Sequence, residues 1–302
     1  MASRPPRGRP PAGSRAPARR SRSASSRSAS SRRARGARRR NQRSDLASRI
    51  ITAIPAIAFA LFIVLEGHLV FAAGLIALGL ICLHEFYGMF EDAAPVRLAG
   101  MLALIALVLA ANYGTQFQIL LIAMAFVPVL FLVGLMQLRV GAVGISITLL
   151  GVWWIGLALA HAVLLRRLPH GDGIVIDVLV GTFIGDTGAY LGGRSFGRRP
   201  LAPRISPNKT VEGLAIGMVC AVVAVWFASI YQNWLPSGRA VLLGLGIAVA
   251  APLGDLFESF MKRDAGAKDT GRFFGAHGGA LDRLDAVLFS AVTGYYIWHA
   301  MI

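Results

Sequence analysis

The chain has 302 residues, 55% of them hydrophobic and only 15% charged, with a mean hydropathy of +0.60. That balance excludes a soluble globular enzyme and a wholly disordered chain, and it identifies an integral membrane protein. The formal charge of +16 is a local property, because fifteen of the thirty-one basic residues lie between Arg4 and Arg43 and the sixteen that remain face fifteen acids. No zinc-ligand or aromatic RNA-binding motif follows that basic run, so no specific nucleic-acid partner is expected.

Residues 1–45 are built from Arg, Ser, Pro, Ala and Gly with no aromatic side chain, too little apolar surface to offset chain entropy, and are predicted to form a disordered cytoplasmic tail. Residues 46–302 are predicted to form one transmembrane domain. No short hydrophobic leader precedes the first apolar run, so the tail is expected to be retained. The fold class is an all-α integral membrane protein, a polytopic bundle of about nine transmembrane helices. The apolar stretches fall at 50–65, 68–83, 98–113, 117–136, 142–165, 173–192, 212–231, 239–258 and 284–302. With the tail inside, twelve basic residues fall on cytoplasmic connections and three, Arg166, Arg167 and Arg239, on the other side. This places the polar loops 193–211 and 259–283 in the cytoplasm. Cys82 and Cys220 sit in apolar runs and read as packing residues. Glu66, His68, His84, Glu85, Glu91 and Asp92 fall at span ends and are expected at the interface, while Trp153 and Trp154 fall mid-span and read as helix packing. No chemistry is expected before residue 177.

Two polar blocks break the apolar pattern. In the first, Asp186 lies inside a span, where an ionisable group calls for a cation or a water-filled cavity. It leads into a basic loop holding Ser206, Asn208, Lys209 and Thr210, then Glu212 at a helix start, where free amide donors suit an anion. The second block, residues 255–285, holds two of the three lysines and six of the fifteen carboxylates: Asp255, Glu258, Asp264, Asp269, Asp282 and Asp285. Lys262 and Arg263 follow Ser259 at three and four residues, on one helix face. Asp282 and Asp285 stand three apart, and two carboxylates on one helix face repel unless a cation lies between them. Hard oxygen ligands suit Mg²⁺ and its phosphate ligands, and Asp255 can close such a site from the facing helix. Carboxylates for a metal beside cationic donors for phosphate are what displacement at a nucleotide phosphorus requires.

Ser259-x-x-Lys262-Arg263-x4-Lys268-Asp269, followed by His277-Gly278-Gly279-x-x-Asp282-Arg283-x-Asp285, resembles the signature of the phosphatidate cytidylyltransferase family. Asp186-Thr-Gly-Ala-Tyr190 and Ile205-Ser206-Pro207-x-Lys209-Thr210-x-Glu212-Gly213 resemble its upstream block. The two blocks cover about a third of the chain. The resemblance implies transfer of the cytidylyl group of CTP to phosphatidate, giving CDP-diacylglycerol and pyrophosphate with Mg²⁺ as cofactor. It implies Asp255, Asp282 and Asp285 as metal ligands, and Lys209, Ser259, Lys262, Arg263 and Arg283 at substrate phosphates. Asp186, Lys268, Asp269 and His277 make up the expected catalytic group. The implied partners are CTP, phosphatidate and membrane lipids in the cytoplasmic membrane, with homo-oligomer formation left open. An ion-coupled transporter using Asp177 and Asp186 is disfavoured, because neither internal repeats nor mid-span charges on several helices are present.

Overall fold

A computed structural model describes residues 55, 57–137, 140–271 and 278–302. The basic tail expected over 1–45, Arg272 and His277 lie outside the described residues. Each apolar stretch contains a helix: α1 (Ile57–Glu66), α2 (His68–Met89), α3 (Arg97–Tyr113), α4 (Gln116–Met136), α5 (Ala142–Arg167), α6 (Gly171–Phe196), α7 (Val211–Ser229), α8 (Ser237–Asp264) and α9 (Leu281–Met301). Among the described residues six of these, α2 and α4 to α8, are long and apolar enough to cross a membrane. The protein is therefore a helical membrane protein, and outward-facing side chains such as Phe62, Leu98, Phe117 and Leu132 are the apolar surface such a bundle presents to lipid.

Several helices run past the hydropathy boundaries. α8 continues six residues beyond the expected end at 258, and α6 four beyond 192. The apolar pattern stops where each helix begins to carry polar residues, whereas the backbone stays helical because its amides must still be satisfied. α5 contains a π-helical turn, Val152–Gly156. It turns Trp154 inward, edge-on to Phe86 at 5.6 Å and to Phe257 at 4.8 Å, and leaves Trp153 half-exposed. With Phe289 at 5.8 Å from Phe257, these rings fasten α8 between α2, α5 and α9.

Loop 193–211 is not wholly irregular. It folds into a two-stranded antiparallel hairpin, β1 (Pro200–Ala202) and β2 (Ser206–Thr210), pairing Pro200 with Thr210 and Ala202 with Ser206. Thr210 then caps α7, its hydroxyl accepting from the Gly213 amide at 3.1 Å. Glu212 accepts from the Arg198 and Arg199 amides at 3.0 and 3.1 Å, which pins the hairpin base to the same helix.

Small residues set the closest helix approach. On α6, Gly181, Gly185, Ala189 and Gly193 recur every four residues, facing Gly213, Gly217 and Ala221 on α7. A Cβ at Gly217 would lie 2.7 Å from both the Ala189 side chain and the Gly185 carbonyl. At the other end of the bundle Arg166 donates to the Val64 carbonyl at 2.7 Å, and Arg167 to the Gly114 carbonyl at 3.1 Å. Two of the three basic residues on that side thus serve the carboxyl ends of α1 and α3.

Candidate active site

α8 presents Asp255, Glu258, Ser259 and Lys262 on one face through their three- and four-residue spacing. α9 brings Asp285 against that face at its second turn. The approach depends on Gly254, where a Cβ would overlap the Asp285 carbonyl. Oxygens of Asp255, Glu258 and Asp285 all lie within 4.8 Å of one another. Glu258 is 1% exposed, and its Oε1 has no hydrogen-bond partner among the described residues. Three converging carboxylates with an unfilled buried oxygen are electrostatically incomplete, and a hard divalent cation is what that donor set fits.

Lysines reach these acids from both polar blocks. Lys262 Nζ lies 2.5 Å from Glu258 Oε2 and 2.8 Å from Asp282 Oδ1. Lys209, at the end of the hairpin, pairs with Asp255 Oδ2. A cavity of about 650 Å³ opens between these groups, lined by Asp186, Asn208, Lys209, Asp255, Lys262 and Asp285 among others. Its size suits a nucleotide-scale ligand, within the roughly 300–1,000 Å³ usual for such sites. The two blocks, about seventy residues apart in sequence, therefore form opposite walls of one site, and Tyr190 and Arg194 extend the α6 wall.

The placement of other expected residues is mixed. Asp282 lines the cavity but is not one of the three converged carboxylates. Its Oδ1 accepts from Lys262, and its Oδ2 accepts from the Gly279 amide at 2.7 Å, the Thr270 amide at 3.1 Å and the Thr270 hydroxyl at 2.9 Å. Glu258, which the sequence reading left without a role, stands in the cluster instead; its position three residues after Asp255 and four before Lys262 was the available signal. Ser259 Oγ lies 3.5 Å from Asp255 Oδ1. Arg263 Nε donates to the Ile205 carbonyl at 3.2 Å and ties α8 to the hairpin turn. Lys268, Asp269 and Arg283 are exposed and do not line the cavity. Glu85 departs furthest from expectation: it is buried, 7% exposed rather than interfacial, and accepts from the Leu281 amide at 3.0 Å at the start of α9.

Fold and site together define a polytopic helical membrane protein with a carboxylate-and-lysine cavity at one end of its bundle. The sequence matches the cytidylyltransferase family model over residues 47–301. Phosphatidate cytidylyltransferase of Bacillus subtilis is 34% identical over 265 residues, covering 84% of this chain and 97% of that relative. The Staphylococcus epidermidis protein of the same name is 33% identical over 252 residues, 80% of this chain and 94% of its own length. That of Mycobacterium leprae is 40% identical over 142 residues, 47% of this chain and 46% of the relative. The chain belongs to the cytidylyltransferase family, a family of nucleotidyl-transferring enzymes.

Proposed function

We propose that the chain transfers the cytidylyl group of CTP to phosphatidate, forming CDP-diacylglycerol and pyrophosphate, in the cavity between α6, the hairpin, α8 and α9. The observation that carries this reading is the meeting of three converged carboxylates with two lysines drawn from two separate sequence blocks. The names of the relatives support the choice of lipid and nucleotide.

Asp255, Glu258 and Asp285 are the residues that would hold Mg²⁺, which when bound neutralises triphosphate charge and favours displacement at phosphorus. Lys209 and Lys262 exchange their carboxylate partners for phosphate oxygens as CTP enters, keeping the site balanced in charge. The phosphatidate phosphate is already anionic, so no strong general base is needed. One of its oxygens bonds to the α-phosphorus while the bond to the β-phosphate bridge breaks, and that electron pair leaves with pyrophosphate. Asp186 faces the carboxylate wall from α6 and orients the reacting groups, whereas Asp282 fastens the loop leading into α9. Ser259 steadies Asp255, and Arg263 and Arg283 serve the frame around the cavity. Lys268 and Asp269 lie in the exposed segment that follows α8, and they and His277 keep the catalytic role the family resemblance implies.

In the same reading all nine helices cross the cytoplasmic membrane, with the basic tail, the hairpin and the α8–α9 loop in the cytoplasm where CTP is available. The test is direct: purified protein given α-phosphorus-labelled CTP, phosphatidate and Mg²⁺ forms labelled CDP-lipid, and chelation stops it. Labelled CDP together with a phosphorylated lipid would instead identify a CTP-dependent lipid kinase.

A further inference from the structure

Helix α2 contributes no residue to the cavity lining given above, yet it sends one buried carboxylate to the site's framework. Glu85 Oε2 accepts from the Leu281 amide at 3.0 Å and lies 3.4 Å from the Thr270 hydroxyl. Thr270 in turn donates through both its amide and its hydroxyl to Asp282, whose other oxygen holds Lys262. The chain of contacts runs from α2 through Thr270, Asp282 and Lys262 to Glu258. The backbone is moulded around this acid: a Cβ at Gly271 would come within 2.6 Å of the Glu85 carboxyl carbon, and one at Gly279 within 2.7 Å of it. A buried carboxylate that accepts a helix-terminal amide and fills the space beside two glycines, where a side chain would have to displace it, is a built contact rather than a stray acid at a span end.

We propose that Glu85 is a positioning residue of the active site: it fixes Thr270 and the amino end of α9, and so sets where Asp282 holds Lys262 and where Asp285 meets Asp255 and Glu258. This rests on the assignment of Asp255, Glu258 and Asp285 as the metal site. Glu85 touches none of those three acids; it acts through the loop and the helix start. The orphaned helix-terminal amide it satisfies belongs to the turn that leads into Asp285, so its loss loosens the metal-facing turn before it loosens the bundle.

The test compares Glu85→Leu, which fills the volume without an acceptor, with Glu85→Gln, which keeps one, in detergent-purified full-length protein. Mn²⁺ binding followed by electron paramagnetic resonance, cytidylyl transfer, and hydrogen exchange at the Thr270, Gly279 and Leu281 amides are read in each. For Glu85→Leu, turnover and Mn²⁺ affinity are expected to fall about 10–100-fold, the range usual when a group supporting metal ligands is removed. Exchange at the three amides rises, and Glu85→Gln loses less on every measure. Wild-type Mn²⁺ affinity and turnover in Glu85→Leu would overturn the proposal, as would equal losses in the Leu and Gln variants. Asp285→Asn run alongside separates the two readings. If it binds Mn²⁺ like the wild type, the metal assignment fails, and the Leu-to-Gln comparison of turnover and amide exchange still decides the role of Glu85.

Discussion

Glu258 concentrates the electrostatic problem of the site in one side chain. One oxygen meets Lys262, the other meets no hydrogen-bond donor among the described residues, and two further carboxylates stand within 4.8 Å. Replacing it with the near-isosteric amide removes one of three converging carboxyl groups while Lys262 keeps Asp282 as its partner. Glu258→Gln is therefore expected to raise the thermal midpoint of the metal-free protein and to lower cytidylyl transfer on the order of 100-fold, the scale of losing one electrostatic element of a catalytic site. A variant with wild-type turnover would remove Glu258 from the metal site. Lys209 makes the complementary case. Lys209→Ala leaves Asp255 without its lysine and removes a charged donor for phosphate, so KM for CTP is expected to rise by about 10–100-fold, the equivalent of roughly 1.5–3 kcal/mol for a charged hydrogen bond. An unchanged KM for CTP in steady-state assays would place the triphosphate elsewhere. Asp255, Asp285, Lys209 and Lys262 were all visible in the sequence because each is a charge beside apolar runs. Glu85 was not, since a carboxylate at a span end reads as interfacial until the packing of the α8–α9 loop against α2 is known. Nor could spacing alone divide Asp282 from Asp285: both lie on one helix face, and only the Thr270 and Gly279 donors separate the loop fastener from the member of the cluster.

Among the elements, the α6–α7 pair decides how wide the cavity is. It is held by small residues at four-residue intervals, and the positions of Asp186 on α6 and of Lys209 on the hairpin that joins the two helices depend on that separation. Gly217→Val pushes a side chain into the Gly185 carbonyl and the Ala189 side chain, neither of which is the movable tip of a long side chain. Overpacking of this kind costs about 1–3 kcal/mol, so the thermal midpoint in detergent is expected to fall and KM for CTP to rise with it. Gly238→Ala is the control. Nothing lies within 4 Å of a Cβ there, and alanine is the better helix former even in the first turn, so stability holds or improves. If both variants behave alike, close α6–α7 packing does not set the site. The helices themselves were legible from hydropathy, as each apolar stretch contains one. Their ends were not, because α6 and α8 stay helical into the polar residues that line the cavity. The hairpin was equally hidden: its two strands hold three and five residues, and prolines at 200 and 207 read as loop signals before the pairing of Pro200 with Thr210 is known.

At the scale of the molecule, the polar chemistry is gathered at one end of the bundle and the opposite end is closed by arginines that serve helix carbonyls. Asp255, Asp285, Lys209 and the hairpin share the first end, and Arg166 and Arg167 tie down α1 and α3 at the second. If the chain uses CTP as proposed, a bundle with this polarity functions in only one orientation, with the cavity on the cytoplasmic side, and the distribution of basic residues over the connections supports that proposal. The consequence is testable with two engineered cysteines in a chain whose own Cys82 is buried and Cys220 partly so. In a Cys82→Ser, Cys220→Ser background, Arg204→Cys in the hairpin turn is expected to resist a membrane-impermeant maleimide in intact spheroplasts and to react once they are lysed. Arg239→Cys, at the amino end of α8, is expected to react in both. CTP and Mg²⁺ added to the lysed membranes should slow labelling at position 204, which sits beside Ile205 and its contact with Arg263 at the border of the cavity, and leave position 239 unaffected. Labelling of position 204 from outside intact cells would invert the topology and separate the cavity from its nucleotide.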